Sequence, residues 1–454
     1  MSTSTFKKVF GAVAAAGLLV ALAGCGSAPD AKPSGGASGG ATDGFKPCMV
    51  SDEGGFDDKS FNQSGYEGLT RAADELGVKI SKTESKTASD YAANLDGLVN
   101  DGCTLIISVG FMLSAPTVES ALANPDIEYA IIDDWADNDF DGKTDAPNIK
   151  PLVFDTAQAA FLGGYSAASY TKSGIVGTFG GAKIPPVTIF MDGYQLGVEY
   201  YNAQKGTDVK VVGWDIAKQE GQFTDEFKKN DKAKQMAQGL IDQGADVLLP
   251  VGGPIYQSAA EAIRDSGGNI AMLGVDADVF LTDPSVGDLL LLSIMKGMDV
   301  AVYEAVMEAA AGDFNVTPFV GVLENGGVGI SPFHDFESKV NPDLAGELET
   351  IKKGIIEIAD MIAINKADGD SVARARRSAA DYQGALNLLT PASETWRPPV
   401  VTISGLENAG LDVLWGHILR HRDLTSASGE REVRLPVKGV RKMMATAMSQ
   451  SAFT

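Results

Sequence analysis

The chain has 454 residues, 44% of them hydrophobic and 21% charged, which exceeds one ordinary domain and predicts two or three globular cores. A formal net charge of -23 excludes nucleic acid as a partner, because no cationic excess is available to neutralise phosphates. The charge is uneven: residues 346–454 carry 14 Lys and Arg against 13 Asp and Glu, leaving 23 against 47 for residues 1–345, a split of +1 and -24.

Residues 1–25 open with Lys7 and Lys8, continue in an apolar run over 9–23, and end Leu22-Ala23-Gly24-Cys25. This is the pattern of a lipoprotein signal peptide cleaved before a lipidated Cys25, since the run is too short and too rich in small residues to make a comfortable membrane span. Residues 26–45, rich in Gly, Ser, Ala and Pro, are predicted to form a flexible tether. The folded part is then expected on the extracytoplasmic face of the cell membrane, held there through lipid.

From residue 46 short apolar runs alternate with amphipathic stretches. Candidate strands lie at 48–52, 78–81, 105–110, 128–133, 152–154, 175–179, 209–214, 247–251, 270–275 and 289–294. Helical spacing occupies 61–77, 91–100, 157–172, 232–243 and 256–266. Such alternation predicts parallel doubly wound sheets, and the strands are too many for one modest sheet, so two α/β lobes with a cleft are expected. Cys48 and Cys103 each begin a strand run. Adjacent parallel strands would bring the two sulfurs together in an oxidising compartment, as a disulfide or as two buried thiols.

The chemistry collects at strand ends. The stretch 51–64, SDEGGFDDKSFNQS, joins the first strand to the first helix, where open α/β sheets place ligands. Gly54 and Gly55 permit close backbone approach, Asp52 accepts from hydroxyls, Phe61 offers a face for stacking, and Asn62 offers a donor and an acceptor. The alternative is an acidic turn in which Asp57, Asp58 or Ser60 caps the helix. Asp133 and Asp134 end another strand beside Trp135, Gly252 and Gly253 follow a third, Asp276 and Asp278 a fourth, and Lys296 follows the last. Paired acids suit general acid–base work, but no nucleophile, histidine or metal cluster accompanies them, so the set fits binding better than catalysis. For Lys296 the other reading is an exposed charge opening a helix. Asp137-Asn138-Asp139-Phe140-Asp141-Gly142 matches the first half of a calcium loop, yet its twelfth position is Asn148 in place of the usual Glu; a solvated acidic loop is the other reading. No metal centre or cofactor is otherwise expected.

The strings DEGGFDDKSFNQSGYEGL, GFMLSAP, YAIIDD, FLGGYSAA, GGAKIPPV with MDGYQLGV, QGADVLLPVGG, GVDADVF, SIMKGMDVAVYEA and VGISPFHDF, in this order, resemble the basic membrane protein family of lipoproteins, in its purine nucleoside receptor branch. The resemblance covers residues 46–345. It implies a type I periplasmic-binding-protein fold, in which two lobes joined by three chain crossings close on a ligand and then dock, as a monomer, on the permease and ATPase of an ABC importer. It implies no enzyme activity. By the same resemblance Asp52 and Asn62 bond the ligand, Phe61 stacks on the base, Asp133 holds the base's polar groups, Asp276 the ribose hydroxyls, and Lys296 a ribose oxygen. Gly252-Gly253-Pro254-Ile255-Tyr256 departs from the more glycine-rich family pattern, and Tyr256 is taken as the second stacking residue. A ligand-sensing lipoprotein without a transporter is the alternative on the same fold.

Residues 346–454 leave that pattern. ELETIKKGIIEIADMIAINKADGDSVARARRSAADYQGALNLL and then TPASETWRPPVVTISGLENAGLDVLWGHILRHR resemble the second half of the GTPases that serve methylmalonyl-CoA mutase as chaperones. Asn365, Lys366 and Asp368, after an apolar strand at 361–364, match the guanine-reading motif, and Ser404-Gly405-Leu406 stands where the later guanine-side loop falls. No G-x-x-x-x-G-K-[ST] occurs in the chain, so the motif is vestigial and the segment is a partial P-loop-GTPase-like α/β fragment with apolar strand edges. Residues 347–358 suit either parent. A gene fusion and a sequence-assembly or reading-frame error both produce such a join, and a membrane-tethered GTPase-related regulator is the functional alternative it offers.

Overall fold

The computed structural model describes residues 44–357 without a break and, beyond them, 362–364, 372, 375, 376, 396, 399–404 and 409–427. The expected signal peptide, Cys25, nearly all of the tether, and Asn365, Lys366 and Asp368 lie outside the described residues.

The first lobe begins with β1 (Pro47–Ser51), α1 (Phe61–Leu76), β2 (Ser81–Glu84), α2 (Tyr91–Asn100), β3 (Leu105–Val109), α3 (Ser114–Ala123), β4 (Glu128–Ile132) and β5 (Ile149–Phe154). The central strands PCMVS, LIISV and EYAII are near-continuous apolar runs and are buried almost throughout, as parallel strands covered on both faces must be. β2 does not lie at 78–81. Gly77 ends α1 in the left-handed conformation and the N–H of Val78 bonds Ala73 O, so the apolar run serves the helix stop. The ladder takes the polar SKTE instead, with Cys48 opposite Ser81, and this edge strand is only half-buried. A disulfide joins Cys48 to Cys103, both buried, with Cα atoms 5.9 Å apart.

The second lobe opens with α4 (Thr156–Tyr170), apolar on all sides and buried along nearly its whole length. It continues through β6 (Ile175–Gly180), α5 (Pro185–Lys205), β7 (Lys210–Val212), the short hairpin β8 (Trp214–Asp215) and β9 (Glu220–Gly221), α6 (Asp231–Asp242), β10 (Val247–Val251), α7 (Ile255–Ser266), β11 (Ala271–Asp276), α8 (Val279–Thr282) and β12 (Leu290–Lys296). α9 (Met298–Ala311) returns to pack on α1, and β13 (Phe319–Gly321) pairs with β5 at the edge of the first sheet. β14 (Val328–Ile330) crosses back to run antiparallel beside β12. The sheet orders are β13-β5-β4-β3-β1-β2 and β14-β12-β11-β10-β6-β7.

The chain thus passes between the sheets three times, after β5, after β12, and between β13 and β14. These crossings are bonded to one another: Asp155 N–H donates to Gly321 O and Gly297 N–H to Gly327 O, each at 2.8 Å. β13 and β14, three residues each, are not among the strands expected from the sequence.

α10 (Leu344–Glu357) bears on where the body ends. Leu344 and Leu348 are buried in the main core, and Glu347 accepts from Tyr165 Oη at 2.8 Å and Lys205 Nζ at 2.5 Å. A boundary at 345 therefore cuts away a helix that packs on α4, and the helix belongs by its contacts to the body. Further on, β15 (Ile362–Ile364), within the expected strand at 361–364, pairs in parallel with β16 (Val400–Thr402), and α11 (Leu411–Ala427) follows.

Candidate functional site

Between the two sheets, at the carboxyl ends of their strands, lies a cavity of about 540 Å³ counted out to its mouth. Its walls include Asp52, Phe61, Asn62, Asp133, Gly252, Gly253, Asp276 and Lys296, so eight of the nine ligand-binding residues expected from the sequence are brought together.

The loop after β1 is built on two buried carboxylates. Asp58 accepts the backbone N–H groups of Ser60, Asn62 and Gln63 at 3.0, 2.9 and 3.1 Å, so it caps α1, while the Ser60 side chain takes no part in the cap. Asp52 Oδ1 accepts from Gly54 N–H at 3.1 Å and from Asn62 Nδ2 at 2.7 Å. Asn62 Nδ2 also reaches Asp58 Oδ2 at 3.2 Å, which leaves Asn62 Oδ1 buried and without a partner among the described residues. The loop is therefore both a capped turn and a wall of the cavity, and the two readings of the sequence are compatible. Burial raises Asp52 to about 6, and it raises Asp58 as well.

Lys296 is not an exposed charge. Its side chain is 2% accessible, its Nζ lies 2.5 Å from Asp133 Oδ2 and 3.6 Å from Asp276 Oδ1, and the three groups join the two lobes. Burial works against the ammonium, but the two carboxylates together hold its pKa above the ordinary lysine value. Burial raises Asp276 to about 6 and also raises Asp133. Asp133 and Asp276, each at a strand's end, adopt φ of 63° and 70°, a conformation a non-glycine residue holds only when its surroundings impose it. Lys296 Nζ also stands 5.3 Å from the Phe61 ring centre and 5.0 Å from that of Phe190.

Tyr256 does not face the cavity. It points into the core of the second lobe, fully buried, and its hydroxyl donates to Asp283 at 2.8 Å. The second lobe's aromatic walls are Phe190 and Phe227. A Cβ on Gly252, whose φ is +140°, would meet the Phe227 ring at 2.8 Å, so the absence of a side chain at Gly252 is what lets that ring lie down at the cleft. Phe227 sits in an irregular stretch without periodicity, and its only signal in the sequence is an aromatic residue among polar ones.

Further contacts hold the lobes together at the rim. Ser60 Oγ donates to Val275 O at 2.9 Å and to Asp276 Oδ2 at 3.2 Å, Thr282 Oγ1 donates to Lys59 O at 2.6 Å, and Lys228 pairs with Glu53 at 2.9 Å. In the acidic loop, Asp137, Asp139 and Asp145 bring oxygens within 4.8 Å of one another. Asp137 and Asp145 spend theirs on the loop's own N–H groups, and Asn148 turns away to donate to Ala121 O and Ile127 O. No helix among the described residues is long and apolar enough to cross a membrane.

Comparisons with known proteins agree with this fold. The family described as ABC transporter substrate-binding protein PnrA-like (Bmp) matches residues 45–361. A CD4+ T-cell-stimulating antigen of Listeria innocua serovar 6a is 30% identical over 374 residues, covering 79% of this chain and 98% of the relative. A putative GTPase of Caulobacter vibrioides is 37% identical over 220 residues, 48% of this chain; these span 65% of that protein, less than two thirds of its length. The crystal structure of ABC transporter system solute-binding proteins from Aeropyrum pernix K1 is 26% identical with a TM-score of 0.61, covering 69% of this chain and 91% of that one.

Proposed function

From the membership of this chain in the Bmp family of PnrA-like ABC transporter substrate-binding proteins, we propose that its cleft holds a purine nucleoside for an ABC importer. The chain acts as a monomer from a lipid anchor at Cys25, outside the cytoplasm. The observation that carries the reading is the composition of the cavity wall: aromatic faces from both lobes, Phe61 and Phe227, with polar groups set between them. A planar uncharged base takes the ring faces. Asn62 Oδ1, unpartnered because its amide nitrogen serves Asp52 and Asp58, accepts a donor from the base edge. Asp276 accepts from the ribose hydroxyls, with Lys296 and Asp133 beside it. The ligand replaces no existing bond of Asn62, so its donor adds a hydrogen bond that the cleft lacks without it.

A thermal-shift panel of nucleosides tests the reading. At a hundredfold excess over the dissociation constant a ligand of the folded state adds about 2.7 kcal/mol of stability. Stabilisation by a purine nucleoside is the expected result, and a panel in which no nucleoside stabilises the chain would sink the proposal.

A likeness to a putative GTPase over 48% of the chain, taken with the guanine-reading motif at Asn365, Lys366 and Asp368, favours a second reading for the C-terminal residues, as a fragment of GTPase ancestry. Without a phosphate-binding loop in the chain, magnesium-dependent GTP hydrolysis is expected to be absent. Measurable turnover would return the membrane-tethered GTPase to consideration.

A further inference from the structure

Past Phe111, Asp133 and Pro186 the interlobe space continues into a second compartment of about 810 Å³, counted out to its mouth. Trp135 and Phe140 line it while remaining 41% and 48% exposed, an open placement for two large aromatic side chains. Phe154 and Ile189 supply further apolar wall. Three carboxylates that take no part in the Lys296 network face the same space: Asp134, Asp137 and Asp155. Asp134 accepts from the Ser114 hydroxyl at 2.5 Å and the Ala136 N–H at 2.6 Å, and Asp137 accepts from the Asp141 and Gly142 N–H groups.

Asp155 differs from the other two. It sits at the first chain crossing, only 6% exposed; its Oδ2 accepts from Gln158 Nε2 at 2.6 Å, and its Oδ1 is buried with no partner among the described residues. A buried acceptor left unpaired carries its desolvation cost uncompensated. Burial raises this carboxyl's pKa, and a positive partner would oppose that rise. Among the described residues, the compartment's lining includes no lysine, arginine or histidine. Ring faces and carboxylates without a cation are the complement of an ammonium carried on an apolar body.

We propose that this compartment binds an organic primary ammonium, with Asp155 Oδ1 accepting its N–H and with Trp135 and Phe140 covering its carbon skeleton. The compartment shares Phe111, Asp133 and Pro186 with the first cavity, but Asp155, Trp135 and Phe140 are not among that cavity's walls.

The test titrates the full chain with 2-phenylethylammonium and, as a neutral counterpart of the same shape, 2-phenylethanol, followed by calorimetry. Saturable ammonium binding, at least about tenfold tighter than that of the alcohol, is expected from a charge-assisted bond. Asp155→Asn should weaken the ammonium about tenfold or more while leaving the alcohol unchanged, and Trp135→Ala should weaken both. Equal affinity for the two probes, no saturable ammonium binding, or an Asp155→Asn protein that binds the ammonium as before overturns the proposal. If Asp155→Asn does not fold, Trp135→Ala decides, and unchanged ammonium affinity in that variant overturns it. Nucleoside thermal shifts on the same preparations read a cavity whose walls Asp155→Asn and Trp135→Ala leave intact, so either result stands without the other.

Discussion

Phe227 and Tyr256 separate two readings of the cleft at the level of single side chains. Phe227→Ala removes a ring that lines the cavity and should cost on the order of 1 to 3 kcal/mol of nucleoside affinity, the range for stacking on an aromatic side chain. Tyr256→Phe removes only a hydroxyl bonded to Asp283 in the core of the second lobe, and should leave affinity within about twofold. Calorimetric titration of both variants checks the pair, and the reverse ranking would restore Tyr256 to the site. The sequence favoured Tyr256 because it follows Gly252 and Gly253 closely. The turn of α7 that starts at Ile255, however, aims that side chain inward, and no local pattern announces the coil that delivers Phe227. Asp52, Asp133 and Asp276, by contrast, were legible, because each sits at a strand's carboxyl end where the fold leaves little choice of position. Asp192 offers a test of burial remote from the cleft. Its carboxylate is 4% exposed, accepts from Trp214 Nε1 at 2.9 Å and Gln219 Nε2 at 3.1 Å, and is raised by burial from an ordinary 3.8 to about 6. A raised acid holds its proton more tightly when folded, so its favourable share of stability is complete below about pH 4 and is lost as pH rises through about 6. That loss is about 3 kcal/mol. Asp192→Asn keeps the acceptor and cannot ionise. Its urea-unfolding stability relative to the native chain should therefore improve by about 2 to 3 kcal/mol between about pH 4 and about pH 7.5. A difference that does not move with pH would show that Asp192 titrates normally.

At the level of elements, the disulfide fixes the part of the first sheet from which the Asp52 loop departs. Cys48 in β1 and Cys103 just before β3 are 55 residues apart in sequence, and the closed segment contains α1, β2 and α2. Loop-closure entropy for a segment of that length corresponds to about 4 kcal/mol at room temperature. Replacing both cysteines by alanine is expected to lower stability by about 2 to 4 kcal/mol in denaturant titration, with an unchanged midpoint counting against any structural role. The central strands of both sheets were readable because apolar runs covered on both faces leave a continuous signal. β2 was misplaced by three residues because the apolar residues near it, Val78 and Ile80, precede the ladder, Val78 N–H closing the end of α1, while the true edge strand is polar. β13 and β14 escaped for a different reason. At three residues each, both containing glycine, they are too short for alternation to register, and what defines them is their crossing between sheets rather than their own sequence.

For the whole molecule the open question is where the solute-binding body stops. The family match runs to residue 361, and α10 lies within it: Leu344 and Leu348 are 0% and 5% exposed, and Glu347 holds Lys205 and Tyr165. The sequence alone left this helix to either parent, because an amphipathic ELETIKKGI segment satisfies the pattern of both, and only the surface it packs on distinguishes them. Two truncations separate the alternatives. A chain ending at 361 keeps every contact of α10 with α4, and should retain nucleoside affinity and a melting temperature within about 2 °C of the full chain. A chain ending at 343 exposes the apolar surface that Leu344 and Leu348 cover. At about 1.5 to 3 kcal/mol per buried leucine side chain, this should cost about 3 to 6 kcal/mol, before the bonds of Glu347 are counted. Equal stability of the two truncated chains would place α10 with the C-terminal segment and return the boundary to 345. A large loss already at 361 would mean that residues after 361 contribute to the body's core.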